Sequence, residues 1–181
     1  MAAPGVSVLW PVPGEGRAVV LADGARAVVR TLAGGDVAVV QEVFAGMSER
    51  SRYQRYIGPK PLLSRRDLEQ LTAVDHHHHE ALVAIDPATR RAVGEAHLVR
   101  DDTDSAIGEV AFAIADAWQN RRLGSRLAEL LAARARQLGI RRIRATMLAD
   151  NARSRAIMGR MGRVVRRRYV GSALELEVAL D

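Results

Sequence analysis

The stretch EVAFAIADAWQNRRLGSRL, residues 109–127, decides how the chain is read. It opens as an apolar run, Val110 to Ala115, which predicts a strand. A polar turn follows, and Gln119-Asn120-Arg121-Arg122-Leu123-Gly124 then leads into a helix with Leu123, Leu127, Leu130 and Leu131 on one face. A strand that runs through a polar loop into a helix N-terminus presents unpaired backbone N–H groups and the positive end of a dipole. That combination binds phosphate. Arg121 and Arg122 in the loop suit a pyrophosphate further.

QNRRLG followed by Ser125 resembles the acyl-CoA pyrophosphate loop of the GNAT acetyltransferases, whose pattern is Gln/Arg-x-x-Gly-x-Gly/Ala. Arg122 stands where the first glycine is usual. Three runs, SERSRYQRYIG, VRDDTDSAIGEVAFAIADAWQNRRLGSRL and LADNARSRAIMGRMG, are similar to one branch, the bacterial protein lysine acetyltransferases. Some members of that branch carry a cyclic-nucleotide-binding domain. The resemblance spans residues 21–181 and implies an α/β fold, a mixed sheet in a single GNAT domain. It also implies acetyl-CoA as co-substrate and an amine as acceptor, with a protein lysine expected.

Composition fits that expectation. A chain of 181 residues is one domain with a sizeable core, and 48% hydrophobic with 27% charged residues is ordinary for a globular protein. Cysteine is absent, which removes disulfides and any thiol nucleophile. No run reaches membrane-spanning length and the N-terminus lacks the pattern of a secretory signal, so a cytoplasmic enzyme is expected. The net charge of +6 is unevenly placed, with 15 arginines and only Glu129 and Asp150 between residues 121 and 168. Such a basic half fits a polyanionic partner, of which CoA is one.

Taken in order, residues 1–16 read as a loose extension and residues 17–181 as the domain. The 20-odd residues ahead of the resembling region are too few for a cyclic-nucleotide module. Residues 17–21 and 26–32 predict a hairpin, and Asp36, Ser48 and Ser64 begin helices ending near Met47, Gly58 and Val74. Two strands, residues 80–86 and 91–100, lead through the acidic turn 101–105 into the strand 106–115. After the central helix, Gly139 fits its C-terminus. A buried strand 140–148, a helix 151–161 and a strand pair, 164–169 with 173–180, complete an order that predicts helices on the faces of a mixed sheet.

Moving an acetyl group from a thioester to an amine needs an oriented thioester, a neutral amine and help for the developing oxyanion. A lysine amine has a pKa of about 10.4, so a base must take a proton at neutral pH. Glu109 interrupts an apolar strand just before the loop, where the resembling enzymes use a glutamate; it is the expected base. With residues 101–105 as the hairpin loop, Arg100 pairs with Ala106 and His97 falls opposite Glu109, which makes His97 a second catalytic candidate.

The resemblance implies further roles. The backbones of Phe112, Ala113 and Ile114 would meet the pantetheine amides at a splayed strand edge. Gln119, Asn120, Arg121, Arg122, Leu123, Gly124 and Ser125 would cradle the pyrophosphate. Asn151 would contact the pantetheine arm, with Ser154 near the diphosphate. Many such enzymes place a tyrosine seven residues after this asparagine, as acid for the leaving thiolate; that position is Met158. The run His76 to His79 cannot aim four consecutive imidazoles at one ion, and no metal is expected. His79 resembles a histidine near the acceptor cleft. A small-molecule amine or a protein N-terminus remains an alternative acceptor. From another class, a non-catalytic acyl-CoA sensor or a basic nucleic-acid-binding protein stays open, though aromatic residues are only 4% and nucleic acid is not the expected partner.

Overall fold

A computed structural model describes residues 16–180; the extension expected over residues 1–16 lies outside the described residues save Gly16. One sheet of eight strands runs through the molecule in the order β1-β2-β3-β4-β5-β6-β8-β7. Its first four strands are β1 (Arg17–Val20), β2 (Arg26–Thr31), β3 (His79–Ile85) and β4 (Ala92–Arg100). The others are β5 (Ile107–Ile114), β6 (Arg142–Leu148), β7 (Arg163–Val170) and β8 (Ala173–Ala179). All neighbours are antiparallel except β5 and β6. The mixed α/β architecture expected from the element order is the one observed.

Two layers of apolar residues flank the sheet. The larger is built on α4 (Leu123–Gln137), whose Leu123, Leu127, Leu130 and Leu131 press on Leu82, Leu98, Val110 and Ile143. Their spacing places all four leucines on one stripe of a 3.6-residue helix. Gly139, at φ 77°, follows α4 in the left-handed region that ends many helices. The smaller layer sets α1 (Val37–Ala45) and α3 (Arg65–Thr72) against Ala81, Val83 and Ala113 on the opposite face. Ser64 and Asp67 form the reciprocal capping box that their spacing predicts. Asp36 stands at the start of α1 but caps nothing: its carboxylate takes the Arg30 guanidinium at 2.6 Å and the Ala33 N–H at 2.8 Å.

Two features position the site. First, β5 and β6 pair over only three residues, Ile107 with Arg142, Gly108 with Ile143 and Glu109 with Arg144. Beyond Glu109 they diverge; β5 stays with β4 and β6 with β8. Second, α2 (Glu49–Tyr56) packs against both β5 and β6 and so lies across the gap. The fifth helix, α5 (Ala152–Met161), packs on α4. Among the described residues no helix is long and apolar enough to cross a membrane.

The β4–β5 register corrects the expected pairing. Arg100 pairs with Gly108 rather than Ala106, so Glu109 faces Val99 and His97 faces Ala111. The turn holds two more residues than its acidic run suggests. Asp101 accepts hydrogen bonds from the Thr103 hydroxyl and from the Thr103 and Asp104 N–H groups, and Asp104 accepts from the Ala106 N–H. A two-residue shift preserves the side-chain face. His97 and Glu109 therefore share a face of the sheet, as diagonal neighbours rather than direct partners.

Candidate active site

The gap between β5 and β6 opens into a groove of about 250 Å³. Phe112, Ile114, Gln119, Asn120, Arg122, Leu123, Gly124, Ser125, Asn151 and Ser154 line it. Ten of the twelve residues expected at the cofactor thus converge on one groove. The remaining two lie apart. The Ala115 N–H donates to the Val93 carbonyl at 2.9 Å, so alternation turns the backbone of Ala113 toward β4 as well. The same alternation points the amides of Phe112 and Ile114 into the gap. Arg121 is drawn off toward the β1–β2 hairpin, 3.5 Å from Asp23, with its guanidinium over the Trp118 ring.

At the head of the groove, α4 begins with the N–H groups of Leu123, Gly124 and Ser125 ahead of its first helical bond, from Arg126 N–H to the Arg122 carbonyl. Arg122 adopts φ 66°, ψ 17°, the left-handed conformation that glycine takes without penalty. A Cβ at Gly124 would come within 2.8 Å of the Ile157 side chain, so glycine there lets α5 close on the loop. Gln119 is a strut rather than a free donor. Its amide nitrogen donates to the Ser51 hydroxyl, the Ile114 carbonyl and Asp116, while its oxygen accepts from Arg153 at 2.8 Å. Burial pulls the Asp116 carboxyl up, but hydrogen bonds from Ser48 and Ser51 outweigh it and leave the group below its usual range. Asn151 caps α5 through its side-chain oxygen, which accepts from the Ser154 N–H at 3.1 Å.

A second cleft, of about 630 Å³, lies on the α2–α3 side and is lined by Tyr56, His79, His97, Val99 and Glu109. Glu109 is exposed in it and also borders a groove with Arg144, Arg166 and Glu177. His97 is buried, and its Nδ1 lies 3.0 Å from His79 Nε2. His79 Nδ1 lies 3.1 Å from the Ala73 carbonyl, which can only accept, so that nitrogen carries the proton. Burial and the neighbouring His97 hold His79 down to about 4, so the ring is neutral and its Nε2 accepts from His97 Nδ1. The other nitrogen of His97 stands 3.6 Å from Oε2 of Glu95, itself 2% exposed, and neither atom has another hydrogen-bond partner.

The four-histidine run is divided among partners. Asp75 gathers the N–H groups of His77, His78 and His79, His76 sits 3.3 Å from Glu80, and His78 lies 2.9 Å from Asp102. Met158 is 1% exposed within the α4 core and lines neither cleft. The residues the sequence did not bring forward are Ser51, Gln54 and Arg55 on α2 and Arg153 and Ile157 on α5, all lining the first groove. The alternation of basic and polar residues in SERSRYQRY marks a helix but carries no sign of what the helix covers.

Comparison with known proteins agrees with this arrangement. Residues 26–164 match the model of the acetyltransferase (GNAT) domain. Over 144 residues the chain is 33% identical to the acetyltransferase Pat of Mycolicibacterium smegmatis, covering 79% of this chain and 43% of that protein. The chain therefore spans less than half the length of this curated relative. The structure of the GNAT domain of S. lividans PAT superposes with a TM-score of 0.82 at 29% identity, over 91% of this chain and 96% of that one. A cAMP-binding acyltransferase from Mycobacterium smegmatis superposes at 0.63 and 29% identity, over 92% of this chain and 47% of that one. A split sheet, a helix N-terminus at its mouth and a family match over most of the domain lead to one conclusion: the chain belongs to the GNAT acetyltransferase family.

Proposed function

We propose that the chain transfers the acetyl group of acetyl-CoA to an amine, a protein lysine, by direct attack with Glu109 as general base. The observation that carries this reading is the gap between β5 and β6. Its edge offers the unpaired amides of Phe112 and Ile114 to a pantetheine arm, and its mouth meets the start of α4, where a pyrophosphate is favoured. On the far side of the sheet gap, Glu109 opens into a separate cleft large enough for a lysine side chain. The amine loses its proton to Glu109 through water, and its nitrogen attacks the thioester carbon. Release of the thiolate leaves the amide and CoA.

The likeness to Pat of M. smegmatis, named as an acetyltransferase, and to the GNAT domain of S. lividans PAT supports the acetyl transfer, and the resemblance of the chain's own runs to the bacterial protein lysine acetyltransferases favours a protein lysine as acceptor. A solved acetyltransferase of Salmonella typhimurium that shares the fold was obtained with its cofactor acetyl-CoA. The reading carries with it a cytoplasmic location, where acetyl-CoA is available. Thiol release measured with acetyl-CoA and a panel of lysine peptides, N-terminal peptides and small amines tests it. Turnover restricted to internal lysine is expected; turnover of small amines alone would move the acceptor class, and none with any amine would leave an acyl-CoA-binding module.

A further inference from the structure

We propose that Arg55 is a catalytic residue of this reaction, its guanidinium stabilising the negative charge that gathers on sulfur as the thioester breaks. The inference rests on the reading that the β5–β6 groove holds acetyl-CoA and that the cleft beside Glu109 holds the acceptor.

Arg55 stands in the last turn of α2, the helix lying across the gap. Among the described residues it alone lines both the cofactor groove and the acceptor cleft. The acetyl carbon must sit where those two spaces meet, because the thioester reaches it from one and the amine from the other. The guanidinium is also only partly committed. It lies 4.9 Å from the centroid of the Tyr56 ring, and its Nε–H is buried with no hydrogen-bond partner. A buried donor of a charged group without an acceptor is costly, and a ligand atom placed there removes the cost.

The chemistry creates such an atom. As the C–N bond forms, the carbonyl π pair moves to oxygen; when it returns, the C–S bond breaks and both electrons stay on sulfur. The amine proton goes to Glu109, and the thiolate later takes a proton from water. Arginine side chains do not give up a proton in proteins, so the guanidinium does not itself supply it. Its contribution is a fixed cation beside the departing sulfur, which counts most in a space shielded from solvent. At the α5 position where the resembling enzymes place a tyrosine, Met158 is buried in the core and carries no donor.

The test uses the full chain. Acetyl-CoA affinity is first measured by calorimetry for wild type, Arg55→Gln, Arg55→Lys and Arg55→Ala, and kcat is then measured with the best acceptor. Arg55→Gln is expected to lower kcat about 100-fold with affinity for acetyl-CoA within about 3-fold of wild type, and Arg55→Lys to lose less. Added guanidinium at millimolar concentration should restore at least about 10-fold of the rate of Arg55→Ala, which a purely structural role would not permit. An unchanged kcat in Arg55→Gln, a loss of affinity that accounts for the whole defect, or no rescue would overturn the role of Arg55. Wild-type protein that fails to bind acetyl-CoA would instead overturn the reading of the groove, and this inference with it.

Discussion

At the scale of single residues, the base and the loop make separable predictions. If Glu109 is the proposed base, Glu109→Gln should lower kcat by at least about tenfold while acetyl-CoA still raises the melting temperature, because the carboxylate faces the second cleft and not the groove at the start of α4. A mutant that keeps its rate would remove Glu109 as the base. At Arg122 the left-handed backbone carries a penalty that glycine escapes. Arg122→Gly should therefore leave stability within about 1 kcal/mol of wild type or raise it, despite the freer unfolded chain. Acetyl-CoA binding should persist; a collapse of affinity in calorimetry would make the side chain of Arg122, rather than the loop backbone, the phosphate ligand. The convergence of the loop residues on one groove was legible because a strand, polar loop and helix N-terminus follow one another locally in the sequence. The fate of Arg121 was not, since Asp23, its partner, is remote in the chain and only the packed hairpin brings it within 3.5 Å.

His79 adds a pH signature at the same scale. Its folded pKa is lowered to about 4 from 6.5 by burial and by His97, so the unfolded chain binds a proton more readily between those values. Stability contributed by the neutral ring is present above pH 6.5 and is lost as pH falls toward 4. The stability of wild type relative to His79→Gln, read as the difference in melting temperature, should therefore be greatest above about pH 7 and fall as pH drops toward 4. Parallel curves over that range would show that the ring is not held neutral.

At the scale of elements, one ion pair ties the sheet to its main helix. Glu80, fully buried on β3, accepts from Arg134 Nε at 2.9 Å and Nη2 at 2.8 Å, from the far end of α4. Removing the arginine leaves a buried carboxylate without its cation. Arg134→Met should cost about 3–5 kcal/mol, read as a lower denaturation midpoint in urea, whereas adding Glu80→Leu should recover much of it. A mild single mutant would mean that His76, 3.3 Å from Glu80, or water compensates. Element identity was largely readable: the leucine stripe of α4, the capping box at Ser64 and the paired strands all declare themselves locally. Register was not. Side chains of Asp101 and Asp104 enlarge the turn before β5, and no periodicity records how many residues a turn will enclose. The placement of α2 over the gap is equally invisible, because a helix of polar residues advertises no face.

At the scale of the whole molecule, the basic half is less available to a polyanion than its composition suggests. Arg142 and Arg144 both engage Glu177, Arg144 also approaches Asp101, and Arg126 meets Glu129. The sheet itself is joined across its middle by three residue pairs, with α2 packed against both strands of the seam. Two half-sheets held by so short a seam constitute two candidate units of cooperative opening, one from β1 to β5 and one from β6 to β8. A ligand that hydrogen-bonds to both lips of the gap would act as a temporary strand and fuse them. Native-state hydrogen exchange should accordingly show the unpaired amides of Phe112 and Ile114 exchanging with little protection in the free protein, and slowing together with β6 once acetyl-CoA is bound. The groove of this chain is, in those terms, a place where the sheet is left unfinished and a bound pantetheine arm would supply the missing hydrogen bonds.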